Sequence, residues 1–204
     1  MNKQPYKLTM KDAAAAGETL ARAFQEYPLI TWFTPDAEER QRQLRFFHTR
    51  MVRYAIRYGE VLATSPEIEA ALVWVPSEKA EQTWWRNTLC GNFSMPFGNG
   101  RTPGPRQAAY GEYSSAVHRR HATMPHMYLR LLGVDPAHRG KGYSSRLLRA
   151  AFERADREGR PCWLETQAER NVSIYQHLGF EVMEEGLIPG SDIRSWGMLR
   201  KAKP

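Results

Sequence analysis

Two cysteines, Cys90 and Cys162, are all that 204 residues contain. They form no CxxC pair and join no His/Cys cluster, which excludes a zinc ribbon and a disulfide framework, so no metal is expected. The chain has no apolar run long enough to cross a bilayer. Its first residues, MNKQPYKLTMKDAAAAG, lack the apolar core of a secretion signal, because Ala13–Ala16 gives way to Gly17 and Glu18. A cytoplasmic protein without a membrane partner is the expectation. Low-complexity tracts and internal repeats are absent. Runs of like charge are absent too, although Lys and Arg number 29 against 22 Asp and Glu, for a net charge of +7. A pI of about 9.6 without a basic run or a recognition motif argues against nucleic acid and for a local anionic ligand.

What is present is a composition of 42% hydrophobic residues and a mean hydropathy of −0.61, which fits one globular domain over 1–204. Helix and strand patterns alternate. Tyr6–Met10 reads as an edge strand. Asp12 caps a helix running to Tyr27, with Pro28 stopping it. Thr34-Pro35-Asp36 starts the next, Thr34 supplying the capping hydroxyl, and Gly59 ends it. Strands are expected at Glu60–Thr64 and Glu69–Val75. The stretch 77–125 reads as a helical and loop insertion between the third and fourth strands, with helices at Glu81–Leu89 and Gln107–His121 around a glycine- and proline-rich loop, Gly91–Pro105. A strand over 126–134 follows. A helix comes next, with Leu147, Leu148, Ala151, Phe152 and Ala155 as its apolar stripe. Then come a strand at Cys162–Thr166, a short helix at Asn171–Leu178, and strands at Phe180–Met183 and Arg194–Arg200. The fold class is α/β (α+β), a mixed sheet of six or seven strands flanked by helices.

The chemistry concentrates where strand 126–134 turns into the following helix. Unpaired N–H groups and the helix dipole make such a start an anion site. Gly140 and Gly142 let an anion approach the backbone, and Arg139 and Lys141 add charge. A Walker A loop would need glycine at Asp135 and a hydroxyl residue at Gly142. A dinucleotide fingerprint would need glycine at Ser145. Neither fits. Arginine-x-x-glycine-x-small does, in Arg139, Gly142 and Ser144, and it resembles the acetyl-CoA loop of the GNAT superfamily of N-acetyltransferases; Ser144 departs mildly from the usual glycine or alanine.

A second segment, Asn171, Tyr175, Gly179 and Phe180, resembles the other GNAT signature. Leu20–Pro28, Ala71–Pro76, Leu164–Thr166 and Arg194–Met198 look like stretches of the puromycin N-acetyltransferase-like subgroup, with 77–125 the least similar part. The resemblance implies acetyl-CoA as acyl donor, a small-molecule amine as acceptor, and a possible oligomer. It implies that Leu132, Gly133 and Val134 offer main-chain groups to the pantetheine arm, that Arg139, Gly140, Lys141, Gly142, Tyr143 and Ser144 hold the pyrophosphate, that Asn171 contacts the arm, and that the Tyr175 hydroxyl protonates the departing thiolate. A non-catalytic CoA sensor and a modifier of a protein or RNA amine are the alternatives.

A base matters if the acceptor is an alkylammonium, whose deprotonation at pH 7 costs about 4.6 kcal/mol. Glu165 and Glu26 are the candidates and His126 a weaker one, while His118, His121, His138 and His177 are expected in solvent. Tyr27, Trp32, Trp74, Trp84 and Trp85 are candidates for an acceptor pocket, against core packing. Cys162, in an apolar strand, reads as packing and not as an acyl carrier.

Overall fold

The computed structural model describes residues 4–91 and 104–203; most of the loop expected at Gly91–Pro105 lies outside them. One seven-stranded sheet runs in the order β1-β2-β3-β4-β5-β7-β6. The strands are β1 (Tyr6–Lys7), β2 (Glu60–Ala63), β3 (Ala70–Pro76), β4 (Met127–Val134), β5 (Cys162–Thr166), β6 (Glu181–Leu187) and β7 (Arg194–Arg200). Among the described residues only the β4–β5 pair is parallel, so the sheet is mixed as expected. The helices are α1 (Ala13–Phe24), α2 (Pro28–Phe33), α3 (Ala37–Tyr58), α4 (Trp84–Leu89), α5 (Pro105–His121), α6 (Tyr143–Arg157) and α7 (Glu169–His177).

The alternation of side chains along β3 builds both cores. Ala71, Val73 and Val75 point to one face, where Ala16 and Leu20 of α1 and Val52 and Ala55 of α3 cover them. Ala70, Leu72 and Trp74 point to the other, beneath the α6 stripe Leu147, Leu148, Ala151, Phe152 and Ala155. Burying each large side chain contributes about 1.5–3 kcal/mol. Trp74, 2% exposed, is therefore core and not pocket wall. Gly133 is needed on β4 because a Cβ there would come within 2.8 Å of Leu20 Cδ2 and 2.9 Å of Ala23 Cβ; its absence lets α1 lie directly on the strand.

Helix boundaries depart from the sequence reading: α4 starts at Trp84 and not at Glu81, α5 at Pro105 and not at Gln107, and α7 at Glu169 and not at Asn171. The Asp12 carboxylate does not cap α1; it turns back to accept from the Thr9 N–H at 2.8 Å and the Thr9 hydroxyl at 2.9 Å. α1 ends at Phe24, and Pro28 opens α2 instead of merely stopping α1, since proline suits a first helical position, where no N–H is required. Asp36, not Thr34, caps α3, accepting from the Glu39 N–H at 2.7 Å; the Thr34 hydroxyl donates to Gln43 at 2.9 Å. The edge strand at Tyr6 is short, a 3-10 turn over Met10–Asp12 replacing its end.

Candidate active site

β4 and β5 part company almost at once. Their parallel register holds at Met127↔Cys162 and Tyr128↔Trp163 only. From Leu129 onward β4 stays with β3, while β5 stays with β7. A bulge helps the bend: Val73 pairs with Leu131 and Trp74 with Leu129, which leaves Arg130 as the extra residue. The wedge between the strands is the floor of a cleft of about 990 Å³, walled by α1, α2, α3, α5 and α7.

One end of the cleft is the turn into α6. Gly140 and Gly142 adopt φ of +79° and +71°, the left-handed region that favours glycine, and a Cβ at either would stand in open space. Among the described residues no side chain caps α6, which leaves its first N–H groups to an anion. Val134, Arg139, Gly140, Gly142, Tyr143 and Ser144 line the cleft here, with Leu132 and Gly133 on the strand before them. Arg139 is tethered by a 3.2 Å bond to the Ala23 carbonyl. Lys141 is exposed beside the turn, 3.3 Å from His138 Nδ1. The residues fit a pyrophosphate.

One wall bears Tyr175 and Asn171. The Tyr175 ring meets Phe180 edge-on at 5.6 Å, and burial raises its phenol above the ordinary value, so the hydroxyl keeps its proton at neutral pH. Asn171 donates to Thr166 at 3.3 Å. The Tyr27 hydroxyl lies 3.1 Å from the same Thr166 oxygen and accepts from the Gln167 N–H at 2.8 Å. Tyr27, Asn171 and Tyr175 thus share one wall.

Where β4 and β5 separate sits Glu165. It accepts from the Tyr128 hydroxyl and, at 2.7 Å, from the Trp163 indole. Burial raises its carboxyl pKa against the pull of these hydrogen bonds. Arg130, Tyr110, Ser114 and His118 complete this end. Glu26 lies elsewhere: its side chain is 79% exposed and pairs with Arg40. Trp84 and Trp85 are exposed at 67% and 52%, and Trp32 contacts Phe33 and Arg106; none of the three is among the cleft's lining residues.

The histidines correct the sequence reading. His118 is half-buried, 2.9 Å from His126, and packs at a tilt against the Tyr128 ring, with centroids 4.8 Å apart. His121 sits 2.7 Å from Glu184. His126, 1% exposed, is behind His118 and does not line the cleft. Burial pushes the Cys162 thiol up to about 12, which leaves it inert. Sequence reasoning passed over Arg130, a lone charge in an apolar strand, and that was the available signal.

Residues 107–182 match the family model described as an acetyltransferase (GNAT) domain. An uncharacterized N-acetyltransferase of Schizosaccharomyces pombe is 25% identical over 187 residues, spanning 85% of this chain and 72% of the relative. A Corynebacterium glutamicum structure described as histone acetyltransferase HPA2 and related acetyltransferase aligns with a TM-score of 0.65 and 21% identity, over 100% of this chain and 99% of that one. A Drosophila melanogaster polyamine N-acetyltransferase aligns with a TM-score of 0.60 and 18% identity, over 96% and 97%. The fold is the GNAT fold, and with the family model it supports the GNAT acetyltransferase superfamily.

Proposed function

We propose that this chain transfers acetyl from acetyl-CoA to the amine of a small molecule by direct attack. The observation that carries the reading is the wedge between β4 and β5, which runs from the uncapped start of α6 to Glu165 and passes Tyr175. In this reading the turn Arg139–Ser144 holds the pyrophosphate, and the strand N–H and C=O groups of Leu132 and Val134 pair with the pantetheine amides. Glu165 takes one proton from the ammonium, and the free amine nitrogen bonds to the thioester carbon; the second proton that this nitrogen then sheds replaces, directly or through water, the one the Tyr175 oxygen gives up. The carbon–sulfur bond then breaks, the sulfur keeps the electron pair, and the Tyr175 hydroxyl places a proton on it. Backbone N–H groups of β4 beside the thioester stabilise the oxyanion that forms between these steps.

A small amine as acceptor is supported by the polyamine N-acetyltransferase among the structural neighbours, and by a cleft that admits a small molecule at the Glu165 end. The puromycin N-acetyltransferase-like subgroup rests on the sequence stretches alone, and a cytoplasmic location is part of the same reading; among the described residues no helix is long and apolar enough to cross a membrane. Calorimetry with CoA and acetyl-CoA, followed by a thiol-release screen of amines, tests the proposal. Saturable one-site binding and release dependent on an amine are expected. Absence of CoA binding would end the reading.

A further inference from the structure

The acetyl donor accounts for the anion site at α6 but not for Arg130. Arg130 is the bulged residue of β4 and lines the cleft where β4 leaves β5. Bulges re-aim a side chain at a functional position. Three other arginines with buried or partly buried side chains end on oxygen: Arg40 on the Thr34 and Pro35 carbonyls, Arg200 on Asp156, Arg160 on Glu78. Among the described residues Arg130 has no such partner. Its guanidinium lies over the Tyr128 ring, 4.5 Å from the centroid, and that contact leaves the N–H edge of the fork unused. Glu165, at the same end of the cleft, directs one oxygen at Tyr128 and the other at Trp163 and forms no ion pair with Arg130.

We propose that the acceptor is an amine that also carries an anionic group, a carboxylate or an equivalent phosphonate, gripped by Arg130 while its amine faces Glu165. A guanidinium presents parallel N–H donors that match such an anion two at a time. The donor's own phosphates do not serve. Arg130 is four residues before Val134, about 13 Å of extended strand, and the uncapped turn that suits a pyrophosphate lies beyond Val134. The opposite charges, Glu165 and Arg130, thus give the two ends of a zwitterion different partners. Phe33 and Tyr110, whose rings pack 5.8 Å apart beside them, supply an apolar wall for the rest of the molecule.

This inference rests on the acetyltransferase reading, so the experiment keeps the two apart. CoA binding is measured by calorimetry on each protein, and kcat/KM is measured for matched pairs: phenylalanine and phenethylamine, tyrosine and tyramine, arginine and agmatine. At least one carboxylate-bearing member is expected to exceed its partner by about tenfold or more, the low end of what a hydrogen bond to a charged group contributes. Arg130→Gln should erase that preference through KM, Arg130→Lys should restore part of it, and CoA affinity should stay within about threefold. Preference for the decarboxylated amine in every pair overturns the proposal. So does an equal loss on all acceptors in Arg130→Gln, which would place the guanidinium on the thioester. Turnover of neither member of any pair by a protein that binds CoA also overturns it, whereas a protein that binds no CoA fails both readings.

Discussion

The Nε2 atoms of His118 and His126 face each other at 2.9 Å, and His126 Nδ1 lies 2.7 Å from the Met124 carbonyl. A carbonyl only accepts, so His126 carries its proton on Nδ1 and offers a lone pair from Nε2. His118 must donate from Nε2, which leaves its Nδ1 unprotonated on a residue that lines the cleft. Burial and the neighbouring His126 push His118 down to about 4, with Arg130 and Arg119 adding to the effect. The expected outcome is a neutral His118 in the Nε2–H tautomer across the neutral range, read from long-range nitrogen–proton spectra. In His126→Phe the tautomer lock is gone, and both forms of His118 should appear.

Tyr175→Phe removes a proton donor and leaves the ring. We expect kcat to fall about 10²-fold, the low end for a lost general acid, with the CoA dissociation constant within about twofold. A non-catalytic CoA sensor has no kcat to lose, so the absence of measurable turnover in the parent protein would favour that alternative.

Glu165 is held above the ordinary carboxylate range by burial. A raised pKa means that the proton stays on longer as pH rises, so the base form becomes available only above the usual value of about 4.3. The acidic limb of kcat/KM for an acceptor should therefore lie above that value. Glu165→Gln should abolish the limb and lower kcat about 10²–10⁴-fold for an alkylamine acceptor. A profile unchanged in Glu165→Gln would remove this carboxylate from the reaction.

His48, 1% exposed, is pushed down to about 3 by burial, and its Nδ1 has no partner among the described residues. The folded state keeps it neutral, while the unfolded chain protonates it below about 6.5. Its effect on stability is therefore nil above that pH and grows unfavourable as pH falls toward 3. At pH 4.5, two units below the unfolded pKa, the loss is about 3 kcal/mol. Urea titrations of His48→Phe at pH 7 and 4.5 should show that much less acid sensitivity than the parent protein.

The fold was readable where the pattern is local. The α6 stripe from Leu147 to Ala155 repeats every three or four positions, and all five residues prove buried. The glycines at 140 and 142 announce a turn that only glycine adopts easily. Helix starts were harder because several polar residues stand near each one and sequence does not say which bonds which; Asp12 turned back to Thr9, and Asp36 took the role given to Thr34. The cleft wall was hardest. His118 finds His126 across a turn, and Tyr128 finds Glu165 across 37 positions, so neither pairing leaves a periodic trace. Trp84 and Trp85 looked like pocket aromatics by type, yet α4 presents them to the surface.

Two rungs of parallel pairing are all that stitch β1–β4 to β5–β7 within the sheet. The seven strands are in effect two plates joined along a short seam, with the remaining backbone groups of both rims facing a gap. A molecule laid in that gap acts as an interposed eighth strand and ties the two facing rims together. Amide exchange along Leu129–Val134 and Leu164–Thr166 should slow together when CoA is added, while β2 and β3, already paired on both sides, change little.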